Sequence, residues 1–192
     1  MTKYILAGGE ERKHDDYGRR LAAEVYKDLD RPVSILSCFF GRPKIEAPAR
    51  AKAWEEWFKR YFGDDVVYAY ATPTTFMAQI GAADVVYLHG GDNELLISTL
   101  KTYKGLAEAF QGKVVVGSSA GAYFLTKNYW GRSKQKVGSG SGIIPVGVVG
   151  HYGSDEEGGP KTDWSFAEEQ VAAASGTKPI LIREGEFTVI EQ

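Results

Sequence analysis

Covalent and metal cross-links have almost nothing to work with in this chain. One of its 192 residues is cysteine, Cys38, which excludes a disulfide framework, a CxxC redox pair and a cysteine zinc cluster. The three histidines, His14, His89 and His151, show no H-x3-H spacing, so neither a metal site nor a cofactor is expected. No sign of charge is in excess: 23 Lys and Arg against 25 Asp and Glu leave a net charge of −2. That excludes nucleic-acid binding through a basic surface. Long apolar runs are missing too. No stretch reaches the roughly 18 residues of a membrane helix. The opening "MTKYILAGGEERKHDD" has four apolar residues before glycine and charge, too few for a signal segment. A cytoplasmic chain with no membrane partner is the expectation. Cys38, just after the apolar run Val33–Leu36, is expected to be a small buried residue.

What is present is alternation. The apolar runs "KYILAG", "PVSILSCF", "DVVYAYA", "DVVYLHGG" and "KVVVG" read as strands. Between them lie helix-period segments. Tyr17, Leu21, Val25 and Leu29 fall at four-residue spacing, and Trp54, Trp57, Phe58, Tyr61 and Phe62 make a broad apolar face that stops at Gly63. Strand–helix alternation with near-continuously apolar strands marks an α/β fold, a mostly parallel sheet covered by helices on both faces. The length fits one catalytic domain over residues 1–192. Residues 129–163 differ, being rich in Gly, Ser and charge around one apolar run, "GIIPVGVVGHY". The "GSGSG" at 138–142 reads as a flexible loop or lid. "DWSFAEEQVAAAS" reads as a helix capped by Asp163, and "KPILIREGEFTVIEQ" as a final hairpin turning at Glu184-Gly185.

Chemistry concentrates in "KVVVGSSAGAYFL", residues 113–125. Gly117 to Gly121 fits G-x-S-x-G between a strand and a helix, the setting of a nucleophile elbow. A serine there projects Oγ beyond the carboxyl end of a strand, where open α/β sheets bind ligands. The helix start supplies free N–H groups and positive dipole for an oxyanion. Ser119 is the candidate nucleophile, and Ser118 is expected to point away. A serine hydroxyl needs a base in reach. His14 sits in a charged loop, His89 ends a strand as either a crevice residue or a packed polar one, and His151 ends the apolar run before "GHY". An acid must orient the base. Asp155, Glu156, Glu157, Asp163, Glu184 and Glu186 lie downstream, and Glu184, between "PILI" and Gly185, is either that acid or a solvated turn residue. "YLHGGDN" is a glycine loop suited to the second oxyanion donor. It lacks the Walker lysine and the GxGxxG spacing of a phosphate loop.

These pieces, with "VVVGSSAGAYFL" and "PILIREGEFTVI", resemble the aspartyl dipeptidase (peptidase E) and cyanophycinase family of serine peptidases. The resemblance implies a three-layer sandwich, flavodoxin-like and similar to class I glutamine amidotransferases. It implies a Ser119–His151–Glu184 triad and an oxyanion hole from the Gly91 and Ala120 N–H groups. Gly90, Asn93, Tyr152 and Lys161 are the matching candidate substrate contacts. A small peptide is the expected partner, acted on by a monomer or homodimer. Two departures stand out. Gly150 precedes the histidine where the family often has proline. The segment after it has no arginine to bind an aspartyl side chain, and carries Asp155, Glu156, Glu157, Glu168 and Glu169 as an acidic wall. Two other readings stay open on these residues: a non-catalytic binding or regulatory domain on the same fold, and an esterase or amidase with a non-peptide substrate.

Overall fold

The computed structural model describes residues 1–155 and 159–192, so the predicted acidic residues Glu156 and Glu157 lie outside the described residues. Its strands in chain order are β1 (Lys3–Ala7), β2 (Ser34–Cys38), β3 (Val67–Tyr70), β4 (Val85–Leu88), β5 (Val114–Ser118), β6 (Thr126–Gly131), β7 (Lys136–Ser139), β8 (Ile144–Gly150), β9 (Ile180–Ile182) and β10 (Phe187–Glu191). They form two sheets. The large one runs β10-β1-β5-β4-β2-β3, parallel throughout except for β10, which pairs antiparallel with β1. The small one runs β7-β6-β8-β9.

The strand pattern explains the layering. Successive side chains point to opposite faces, and every residue of β1, β4 and β5 is buried. Ile5, Ala7, Ile35, Val85, Tyr87, Val114 and Val116 face one cluster, shared with helices α1 (Tyr17–Val25) and α2 (Ala47–Phe62). Tyr4, Leu6, Leu36, Cys38, Val86, Leu88 and Val115 face the other. There α3 (Phe76–Ala82), α4 (Asn93–Leu100), α5 (Leu106–Ala109) and α6 (Ala120–Leu125) cover the sheet. Each fully buried Leu, Val or Phe stabilises this arrangement by about 1.5–3 kcal/mol before entropy is counted. The fold is the expected α/β sandwich with helices on both faces. Cys38 is fully buried, and burial pushes its thiol up to about 12. The first helix ends at Val25, and Leu29 packs against its cluster from the turn beyond.

Two expectations are corrected. The C-terminal segment is not a hairpin: β9 pairs with β8 in the small sheet, whereas β10 pairs with β1 in the large one. The turn at Glu184-Gly185 therefore crosses from one sheet to the other. The "GSGSG" at 138–142 is loop only in part, since residues 140–142 alone lie outside a strand. Gly138 and Ser139 belong to β7, paired with Tyr129 and Asn128 of β6. Glycine there serves packing, since a side chain at Gly138 would overlap the Tyr129 ring. The small sheet also has two faces. Tyr129, Ile144, Val148 and Ile182 join the core over α6, and Trp130 and Val149 pack on α7 (Trp164–Ser175). Asp163 caps α7 as expected, accepting from the Phe166 N–H. Among the described residues no helix is long and apolar enough to cross a membrane.

Candidate active site

The loops that follow β1, β2, β4 and β5 open on one crevice of about 400 Å³ at the carboxyl ends of the parallel strands. Ser119 stands where β5 turns into α6, with φ 48° and ψ −109°. That backbone region is costly for any residue with a Cβ. The conformation is held from both sides. The Ser119 N–H donates to Ala7 O at 3.0 Å, and the Ser119 carbonyl accepts from Tyr123 N–H at 2.9 Å. The turn is tight because α6 starts at once and lies against β4. A Cβ on Gly121 would overlap the Leu88 carbonyl, so only glycine lets helix and strand approach this closely. Ser118 is buried beside Glu11, as well as bordering the crevice.

His151 begins the turn after β8, also at positive φ (54°), and its N–H donates to Gly8 O at 3.0 Å. Its ring rests on the loop after β1. A Cβ at Gly9 would overlap the imidazole, and Gly9 itself has φ 107°. Glu184 follows β9, and the next residue ties back to the same loop through Gly185 N–H to Gly9 O at 2.9 Å. The three side chains then meet. His151 Nδ1 lies 2.8 Å from Glu184 Oε1, and His151 Nε2 lies 2.9 Å from Ser119 Oγ. With the ring proton on Nδ1, the imidazole donates to the carboxylate and accepts from the hydroxyl. Burial holds the His151 pKa below its usual 6.5, helped by the Arg132 cation and opposed by Glu184. The ring is therefore a neutral base at neutral pH.

Of the other predicted residues, Gly90 and Gly91 border the crevice, and Ala120 opens α6 beside Ser119. Asn93 lines a neighbouring cavity with Glu94 and Lys134. Tyr152 packs edge-on against Trp164 at 5.4 Å. Lys161 is exposed. Those three are not brought to the crevice, and neither are Asp155, Glu168 or Glu169. Asp155 instead accepts from the Thr162 N–H at 3.0 Å. Among the described residues, then, no acidic wall forms from that segment. His89 is buried, stacked on Phe39 and Tyr87, and bonded through Nε2 to Ser37 Oγ at 2.9 Å. Burial drives its pKa well down, so it packs as a neutral ring at the crevice edge.

The residues that sequence reasoning missed are charged. Arg12, Arg42, Arg50 and Arg132 border the crevice, with Glu10 and Glu11. Arg42 Nε donates to Gly90 O at 3.0 Å. Arg50 pairs with Glu46. Glu11 is 6% exposed, and burial raises its carboxyl pKa. The available signal was position: "GGEER" follows β1 and "FFGRP" follows β2, both at strand ends where α/β sheets bind ligands.

The model of peptidase family S51 matches residues 65–192, two thirds of the chain. The chain belongs to peptidase family S51. Members are serine-type peptidases like peptidase E, and Ser119, His151 and Glu184 all fall inside the matched stretch. The crevice residues Gly9 to Arg12, Arg42 and Arg50 fall outside it. Among solved structures, the chain is similar to a peptidase from an acI-B1 Actinobacterium, with TM-score 0.67 and 20% identity. That match covers 100% of this chain and 84% of the other. A candidate peptidase E protein from Listeria monocytogenes EGD-e matches with TM-score 0.61 and 12% identity, covering 100% and 99%. At such identities the likeness is one of fold. No curated protein matches the chain.

Proposed function

We propose that this S51 peptidase hydrolyses small peptides, dipeptides among them, through a Ser119–His151–Glu184 triad and an acyl-enzyme, as one catalytic domain over residues 1–192 working in the cytoplasm. The observation that carries the reading is the unbroken chain of hydrogen bonds, 2.8 and 2.9 Å, from a carboxylate through a buried imidazole to a serine in a strained turn. Ser119 Oγ attacks the scissile carbonyl while its proton passes to His151 Nε2. Glu184 keeps its charge, fixes the imidazole tautomer and stabilises the imidazolium as it forms. His151 then gives the proton to the leaving amine. Water, activated by the same nitrogen, attacks the acyl-enzyme carbonyl and releases the acid. The N–H groups of Gly91 and Ala120 hold the tetrahedral oxyanion. Each such donor is worth about 100- to 1,000-fold in rate.

The test is covalent. A fluorophosphonate probe should label the wild-type protein and leave Ser119→Ala unlabelled, and the same substitution should abolish release of amino acids from a dipeptide and tripeptide library. Equal labelling of the two proteins would sink the nucleophile assignment.

A further inference from the structure

The proton acceptor in this crevice also fixes where the leaving group sits. The departing amine must reach His151 Nε2, so the residue that leaves lies on the His151 side of Ser119. A cation is tied to the turn that carries His151. Arg132, just past the end of β6, borders the crevice and is 14% exposed. Its Nη1 donates to the carbonyl of Ser154, three residues after His151, at 2.6 Å. Ser154 in turn donates its N–H to the His151 carbonyl at 2.9 Å. The guanidinium is thereby anchored to the turn that carries the base. It pairs with Glu184 Oε1 at 4.0 Å, beyond a hydrogen bond, and the same oxygen meets His151 Nδ1 at 2.8 Å. One nitrogen of Arg132 is thus used for anchoring, and among the described residues the other two donate no hydrogen bond. A half-used, mostly buried guanidinium is a ready partner for a carboxylate.

We propose that Arg132 binds the free carboxylate of the leaving residue, so that the enzyme releases a single C-terminal amino acid and favours dipeptides over longer or C-terminally capped peptides. The inference rests on the Ser119–His151 reading, which sets the side on which the amine departs. The chemistry suits it. In a leaving amino acid the carboxylate is one carbon from the amine, so a cation beside the base meets the carboxylate as the amine meets Nε2. A second peptide unit would put an uncharged amide there instead.

The experiment compares Ala-Leu and Asp-Leu with their C-terminal amides, in wild type, Arg132→Gln and Arg132→Lys. Wild type should prefer the free acids by about 30-fold or more in kcat/KM, mostly through KM, the size expected of charge-assisted hydrogen bonds. Arg132→Gln should bring the acid-to-amide ratio close to one, and Arg132→Lys should recover part of it. A purely structural arginine would lower acid and amide alike and leave the ratio standing, and that result would overturn the proposal. So would a wild-type ratio near one. Calorimetric binding of the same four compounds to Ser119→Ala reads the preference without turnover. If wild type resists fluorophosphonate labelling, the triad reading fails, while a free-acid preference in that binding experiment still upholds the carboxylate site.

Discussion

The two sheets contribute to the crevice in different ways. The large sheet presents Ser119 by local means. β5 is buried on both faces, α6 follows with no intervening residue but the serine, and the whole device spans residues 114–125. The small sheet presents His151 and Glu184 by long-range means. Its strands hold Gly, Ser, Lys and Asn among their apolar residues. His151 and Glu184 reach Ser119 only because β8 and β9 are in register, and because their ends are laced to each other and to the loop after β1. The laces are His151 N–H to Gly8 O, Tyr152 N–H to Ile182 O and Gly185 N–H to Gly9 O. In the proposed triad the nucleophile is thus set by neighbours in sequence, while its activation depends on a seam between two sheets.

Outside the nucleophile itself, the largest expected loss comes from cutting the far end of that seam. Glu184→Gln keeps the shape but removes the charge and permits the wrong imidazole tautomer. Its kcat should fall by about 1,000- to 10,000-fold, with peptide turnover as the readout and labelling of Ser119 slowed in parallel. A loss under tenfold would mean that another group orients His151.

Next comes the seam itself. Gly9→Ala places a methyl group where the imidazole lies, at a backbone φ of 107°. The ring must move, and a displacement of about 1 Å costs on the order of 100-fold in rate. Dipeptide kcat should drop by that amount while Ser119 stays in its elbow. An unchanged kcat would show that His151 does not need this loop.

The contrast between sheets also explains what the sequence alone could tell. Buried parallel strands are apolar at almost every position, and the run "KVVVG" followed by "AGAYFL" is legible with no partner in view. Period and composition are local properties. The small sheet was hidden because β7, "KVGS", and β6, "TKNYWG", carry their meaning in pairing: Gly138 is there for the Tyr129 ring opposite it. The terminal "ILI" and "FTVIE" look like the arms of a hairpin for the same reason, since nothing within fifteen residues says that they belong to different sheets. His151 and Glu184 were found through chain order and a family likeness. Arg132 was not, because its role depends on Ser154 and Glu184 being brought to it.

A smaller effect sharpens the electrostatic half of the comparison. Around His151 stand Arg132 from beyond β6, Glu184 from beyond β9 and Glu10 from the loop after β1. Burial and Arg132 favour the neutral ring, while the two carboxylates favour the imidazolium. The proposed mechanism needs the neutral base, so kcat/KM is expected to be level above the ordinary histidine value of 6.5 and to fall as pH drops through the lowered pKa. Arg132→Gln removes a cation that opposes protonation, so its acid limb should move up toward 6.5. Glu184→Gln should move it down. Acid limbs that coincide in all three proteins would show that these charges do not act on His151.

The smallest effect concerns the nucleophile's own turn. Ser119→Ala and Ser119→Gly both lose the hydroxyl and its bond to His151, so their difference isolates the Cβ in a backbone region that glycine alone tolerates well. Relief of about 1–3 kcal/mol of strain is offset in part by the roughly 0.5–1 kcal/mol that glycine's extra freedom costs on folding. Ser119→Gly should therefore be the more stable of the two by about 1 kcal/mol, or about 2–4 °C in Tm for a chain of this size, measured by thermal unfolding at one pH. At an ordinary β or helical position alanine would win. The sign of this difference, read against the Gly9→Ala result, tells whether strain sits at the nucleophile or only at the seam that carries its base.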